Sequence, residues 1–158
     1  MADVLLLLGS NIDKERNIPA ALAALRAAPD VTVCAVSSVL ETPAVGPDGA
    51  VSEQASFHNV AVHVRTPLAP PALRTLLRTI ERQLGRVRSA DKFAPRPIDI
   101  DISLYDEMIY EQDGMVIPDP DIARFPHVAL PLAEIAPDWI VPTSGERLDA
   151  IAARLANI

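Results

Sequence analysis

The chain has 158 residues, 49% of them hydrophobic, enough apolar material for one domain over 1–158 with a substantial core, and this excludes general disorder. Its formal charge of −7 and 4% aromatic content argue against a nucleic-acid partner, which needs a basic surface and stacking rings. No apolar run approaches the ~20 residues of a membrane span, and the single cysteine, Cys34, leaves no internal disulfide.

Residues 4–8 read as a buried central strand, cut short by Gly9-Ser10-Asn11. Asp3 stands where a secretory signal would carry positive charge, so the expected location is the cytoplasm. Asn11 or Asp13 is placed to cap a helix over 14–28 with Ile18, Leu22 and Leu25 on its apolar stripe. Residues 31–40 are rich in β-branched side chains and read as a second strand. Cys34 lies within it, which predicts an inert, buried thiol. Residues 41–56, with the cluster Thr42-Pro43-Ala44-Val45-Gly46-Pro47, are too long for a hairpin turn, and long ordered loops are usually functional.

Residues 57–65 form a third strand. Val60, Val62 and Val64 share one face; Phe57, Asn59, Ala61 and His63 share the other. A second helix follows Thr66-Pro67 on the stripe Leu73, Leu76, Leu77, Ile80 and Leu84, with Gly85 placed to end it. From Ile98 the chain alternates: Ile98, Ile100, Ile102 and Leu104 on one parity, Asp99, Asp101 and Ser103 on the other. A short return strand at 108–110 and helices near 128–136 and 147–156 complete the chain. The order β-α-β-β-α-β predicts an α+β, ferredoxin-like antiparallel sheet with helices on one face and extra C-terminal helices. His58 and His63 have opposite parity and read as structural groups, and Trp139 reads as packing for the C-terminal helices.

Two aspartates on one strand face need a reason, because Asp is depleted in strands and like charges about 6–7 Å apart repel. One reason is a solvated outer face. The other is a hard cation such as Mg²⁺, which is held by one or two carboxylates plus substrate phosphates. The second is favoured by Arg86, Arg88, Lys92 and Arg96 just upstream, since guanidinium forks suit phosphate oxygens. If the aliphatic sides of both strands meet the helices, Phe57, Asn59, Asp99 and Asp101 share the open face. An aromatic ring beside a carboxamide suits a flat, hydrogen-bonding heterocycle.

Several blocks together resemble one family. Gly9-Ser10-Asn11, Thr42-Pro43, Phe57-His58-Asn59, Gly85-Arg86-Val87-Arg88, Pro95-Arg96-Pro97-Ile98-Asp99-Ile100-Asp101 and Pro131-Leu132-Ala133-Glu134-Ile135-Ala136-Pro137 are similar to the 6-hydroxymethyl-7,8-dihydropterin pyrophosphokinases of folate biosynthesis. The resemblance implies transfer of a diphosphate from ATP to the hydroxymethyl group of the pterin, with release of AMP. It implies that Asp99 and Asp101 hold two Mg²⁺ ions, and that Arg86 and Arg96 act with them as catalytic residues. Glu81, Arg86, Arg88, Arg96, Ile102 and Asp119 are implied at ATP. Thr42, Pro43, Val45, Phe57 and Asn59 are implied at the pterin, with Phe125 or His127 stacking on it.

The chain departs from the family pattern at Asp119, where many relatives carry histidine; nucleotide contact, assistance to the metal and a capping role all stay open. Phe93, Ser89 and Ser103 are further departures. Small-molecule substrates and a monomer are expected, with no nucleic acid and no membrane. The alternatives are a relative with a changed acceptor and a non-catalytic RNA-binding module of the same fold.

Overall fold

The structure is a computed structural model that describes residues 1–87 and 93–156. β1 (Ala2–Ser10) lies inside the sheet, with Val4, Leu5, Leu6 and Leu8 all at 0% exposure. α1 (Lys14–Ala27), β2 (Thr32–Val36), β3 (Leu40–Thr42), β4 (Phe57–Thr66), α2 (Pro70–Gln83) and β5 (Asp99–Tyr105) follow. The sheet runs β2-β4-β1-β5, with β3 paired to the start of β4, and every pairing is antiparallel. A sheet whose middle strand is apolar on both sides must be covered on both faces.

One cover is α1 and α2. They meet Val4, Leu6, Leu8, Val60, Val62, Val64, Ile98, Ile100 and Ile102 through Ile18, Leu25, Leu73, Leu77 and Ile80. The stripe seen in the sequence is thus the core stripe. Gly85 ends α2's turn at φ +94°, a backbone region that an L side chain resists. The other cover is C-terminal. α3 (Pro126–Ile135) and α4 (Leu148–Ala156) pack on Leu5, Ala61 and Leu104 through Val128, Leu132, Ile151 and Leu155, joined by Ile122 from the turn before α3. They occupy only part of that face, so the expected ligand floor is the part they leave uncovered. Trp139 joins this second cluster and meets His63 edge-on, with ring centroids 6.2 Å apart.

Two β-bulges correct the strict alternation. On β5, Leu5 faces Leu104 but Leu6 faces Ile102, so Ser103 is an extra residue. A bulge moves everything beyond it to the opposite face. Leu104 therefore joins the α3–α4 side, not the isoleucine side, and Tyr105 takes the α1–α2 side. On β2, Val33 faces Val64 and Ala35 faces His63, which makes Cys34 the extra residue. Its thiol is exposed, not buried. The second predicted strand is interrupted after Val36 and resumes as β3.

The expected return strand at 108–110 is a separate hairpin, β6 (Tyr110–Gln112) with β7 (Met115–Ile117), followed by a 3₁₀ turn at Pro120–Ala123. Asp13 occupies the N-cap position of α1 in a left-handed conformation and makes no side-chain cap bond. Among the described residues no helix is long and apolar enough to cross a membrane.

Candidate active site

Strand register builds the site. Gly9 on β1 faces Asn59 on one side and Asp99 on the other; Leu7 faces Ala61 and Asp101. Asn59, Gly9 and Asp99 thus form one row across three strands, and Asp101 stands one row further on the same face. A Cβ at Gly9 would lie 3.8 Å from the Phe57 ring and 3.9 Å from Asn59 Oδ1, so the glycine keeps the floor open between them. Above this floor opens a cavity of about 620 Å³. Phe57, Asn59, Asp99 and Asp101 all line it, as the strand parity predicted. Thr42, Pro43 and Val45 wall one side, and Phe93, Arg96, Asp119, Phe125 and His127 wall the others.

The polar groups are individually held. Asn59 is buried and donates both amide hydrogens, to the Leu40 carbonyl at 3.0 Å and the Thr42 hydroxyl at 2.8 Å. With the amide spent, its carbonyl oxygen is the acceptor left for a ligand N–H. Arg86 donates to the Ile98 carbonyl at 2.8 Å and to Asp99 at 3.3 Å. Arg96 reaches the other Asp99 oxygen at 3.5 Å and lies 6.0 Å above the Phe57 ring centroid. The Arg96 backbone is clamped by Asn11, whose side-chain oxygen accepts from its N–H at 2.8 Å and whose N–H donates to its carbonyl at 3.1 Å. The Asn11 amide also donates to Gln54 and to the Ala55 carbonyl, each at 3.3 Å. Gln54 in turn donates to the Phe93 carbonyl at 2.7 Å. The sequence offers Asn11 or Asp13 as the helix cap; the role of Asn11 in tying the two long loops is visible only in three dimensions.

Burial drives the Asp101 carboxyl well above the ordinary range, and the charge and hydrogen bond of Asp99, then the charge of Asp119, push it further. Asp119 is raised too, chiefly by burial. Its N–H donates to the Ser103 carbonyl at 3.0 Å, which lays this segment against β5, and its side chain accepts from Asp121 N–H at 2.9 Å. Of the roles left open for it, the cap of the 3₁₀ turn is the one this contact fills. A cation placed beside Asp99 and Asp101 would offset the repulsion that raises Asp101. Phe125 and His127 both line the cavity, with ring centroids 5.4 Å apart and planes tilted by 31°. Burial lowers the His127 pKa, so its ring stays neutral and flat beside a ligand at neutral pH.

A second cavity, of about 540 Å³, lies against the β5 edge. Asp101, Asp119 and Asp121 line both cavities, so the carboxylates stand at their junction. Leu77, Ile100, Ile102, Met115 and Val116 give the second cavity apolar walls, and Arg74 and Arg78 give it positive charge. β5 is an edge strand, so alternate backbone groups turn away from β1. Ile100 spends its own on Glu81, which accepts from its N–H at 2.8 Å, and on Arg78, which donates to its carbonyl at 3.4 Å. Ile102 is next in that phase.

Glu81 is only 1% exposed and bound to Arg78 at 2.9 Å. It props the strand edge beneath this cavity instead of standing in its wall, a consequence of its place among the core residues of α2. Arg88, predicted at ATP, lies outside the described residues. Arg74 and Arg78 were missed because on a helix they read as ordinary surface charge.

A sequence model of the family described as 7,8-dihydro-6-hydroxymethylpterin-pyrophosphokinase (HPPK) matches residues 5–137. The chain belongs to this family. Among curated relatives, it is 37% identical over 142 residues to the 2-amino-4-hydroxy-6-hydroxymethyldihydropteridine pyrophosphokinase of Synechocystis, covering 89% of this chain and 70% of that one. It is 40% identical over 129 residues to the Bacillus subtilis protein of the same name, covering 81% and 74%. With the Methylorubrum extorquens relative it shares 37% identity over 149 residues, covering 94% and 90%.

Among solved structures, Plasmodium falciparum HPPK-DHPS wild type aligns at a TM-score of 0.69 and 13% identity over 98% of this chain. An HPPK-DHPS in complex with substrates aligns at 0.74 and 14%. The chain spans 43% and 45% of those two, and at such identities the likeness is one of fold. The HPPK match contains the β5 aspartates, the Gly9–Asn59 row and the start of α3 that carries His127.

Proposed function

We propose that this HPPK-family chain transfers a diphosphate from ATP to the hydroxymethyl group of 6-hydroxymethyl-7,8-dihydropterin, giving the pterin diphosphate and AMP, in folate biosynthesis. The observation that carries this reading is the pair of cavities meeting at Asp101, Asp119 and Asp121. One has the polar, ring-walled character of a heterocycle site; the other has apolar walls and arginines suited to a nucleotide. A reaction between two bound substrates belongs where their sites join. We take 1–158 as a single domain. The ferredoxin-like reading of its core rests on the strand order β2-β4-β1-β5 and the placement of α1 and α2 on one face.

Phe57 would cover one side of the pterin and His127 or Phe125 the other, while Asn59 Oδ1 accepts from the ring's N–H edge. Ile102 would meet the base and Asp119 would lie near the phosphates. The substrate hydroxyl attacks the β-phosphorus and gives up its proton to solvent; a new O–P bond forms there, the bond from that phosphorus to the bridging α-oxygen breaks, and AMP leaves with that electron pair. Arg86 and Arg96 neutralise the charge that builds on the phosphoryl oxygens, which compete with Asp99 for the same guanidinium N–H groups. The loop over 41–56 would act as a lid that keeps water from the nucleotide, tied through Asn11 and Gln54 to Phe93 and Arg96.

The donor set fits Mg²⁺. Asp99 and Asp101 are hard oxygen donors on one strand face, and among the described residues no group of three or more His, Cys, Asp or Glu closes into a protein cage. That is the arrangement expected when substrate phosphates and waters complete the shell. These two residues would hold the expected pair of ions. When bound, Mg²⁺ would supply charge neutralisation on the triphosphate.

The test is to incubate the protein with ATP, Mg²⁺ and 6-hydroxymethyl-7,8-dihydropterin and measure AMP. AMP appearing only with both pterin and Mg²⁺ supports the assignment. ATP bound without turnover would instead favour a relative with a changed acceptor, and RNA binding without nucleotide affinity would favour the RNA-binding reading.

A further inference from the structure

α2 carries Arg74, Arg78 and Arg82 one turn apart, a ridge of about 12 Å at 1.5 Å per residue. With Pro71, Thr75, Asp113 and Met115 they line a groove of about 370 Å³. The protein carries a net charge of −7, and Arg65, Arg124, Arg147 and Arg154 all sit on carboxylates. Among the described residues Arg74 and Arg82 do not. Arg74 donates to the Asp113 carbonyl at 2.8 Å and Arg82 to the Thr79 hydroxyl at 3.4 Å. A guanidinium bound only to neutral acceptors keeps its full charge for an incoming anion.

The groove adjoins the second cavity, with which it shares Arg74, Arg78 and Met115. That cavity wraps the β5 edge, because Asp101 stands on the face opposite the isoleucines that meet α2. A nucleotide whose phosphates lie toward Asp99 and Asp101 therefore passes its remaining part over the edge toward the ridge. We propose that the ridge is an anion subsite contiguous with the nucleotide cavity, taking a phosphate carried on the sugar of a bound adenosine nucleotide. This inference rests on the nucleotide reading above.

Calorimetry on the full chain with AMP, adenosine 2′,5′-bisphosphate, adenosine 3′,5′-bisphosphate and inorganic phosphate tests it. One of the bisphosphates is expected to bind about ten-fold more tightly than AMP, with the preference shrinking as salt rises from about 50 to 200 mM. In Arg82→Gln that preference should fall to about two-fold or less, while Arg82→Lys keeps part of it and the KM for ATP is unchanged in both. Bisphosphates that bind no better than AMP, or a preference that survives Arg82→Gln, overturn the subsite. Inorganic phosphate that binds alone and is lost in Arg82→Gln, with no bisphosphate preference, overturns it as well, since the anion site is then independent of the nucleotide. Failure of both ATP and AMP to bind removes the nucleotide reading itself, a result distinct from loss of the subsite.

Discussion

Asp99 and Asp101 stand two residues apart and make opposite demands on the fold. Asp99 pairs with Arg86 and Arg96, so Asp99→Ala removes an ion-pair partner that both share and is expected to lower both stability and turnover. Asp101 is pushed toward its neutral form by burial and by Asp99, so Asp101→Asn should leave the melting temperature unchanged or raised. Its turnover should nonetheless fall by about 100-fold or more. AMP release and thermal melting of the two variants separate these effects, and retained activity in both removes the metal assignment.

Ser103 is a second residue that the fold bears at a cost, for its hydroxyl is fully buried with no hydrogen-bond partner among the described residues. Ser103→Ala is expected to stabilise by about 1 kcal/mol in a denaturant titration. His127 gives the pH dependence. Its pKa is lowered in the folded state by burial, so between that value and about 6.5 the unfolded chain binds more protons. Stability is complete above about 6.5 and falls as pH drops through this window. Urea midpoints of His127→Phe should lack that fall.

At the scale of elements, one clasp joins the ends of the 43–56 loop. Lys14 on α1 donates to the Ser56 carbonyl at 2.9 Å and pairs with Glu41 at 2.9 Å, and Glu41 also accepts from Ser56 at 3.0 Å. Lys14 holds the Glu41 carboxyl below its ordinary value. The loop carries Pro43 and Val45 to the cavity wall. Lys14→Met is therefore expected to raise the KM for the pterin several-fold while kcat stays within about two-fold, a split that steady-state kinetics reads directly. Equal loss of kcat would mean that the clasp also positions the reacting groups. The bulges belong to this scale too. Ser103 turns Leu104 toward α3 and α4, and without it the second core would lose a side chain that reaches 0% exposure.

The whole molecule is a sheet between two cores of unequal extent. The α1–α2 core covers its face fully; the α3–α4 core stops short, and the cavity occupies the remainder. Because α3 begins at Pro126 and carries His127 in its first turn, packing behind the helix and the wall of the site are one structure. Leu132→Ala, at 0% exposure in that core, is expected to cost about 2–5 kcal/mol. It should also weaken pterin binding, which chemical denaturation and a binding titration can both follow.

Much of this protein was legible in its residues. Alternation at 98–102 and 57–65 placed Phe57, Asn59, Asp99 and Asp101 on one face, because side-chain direction along a strand is a matter of parity alone. The spacing of apolar residues likewise placed the core stripes of α1 and α2. Parity fails where a residue is inserted, and nothing local marks Ser103 or Cys34 as insertions; the pairing strand decides that. Nor could spacing reveal that α3 and α4 cover the far face only in part, that Asn11 ties two loops together, or that Glu81 turns inward to hold Ile100. Those outcomes depend on which distant groups compete for the same space and the same hydrogen bonds, and only the assembled chain settles that competition.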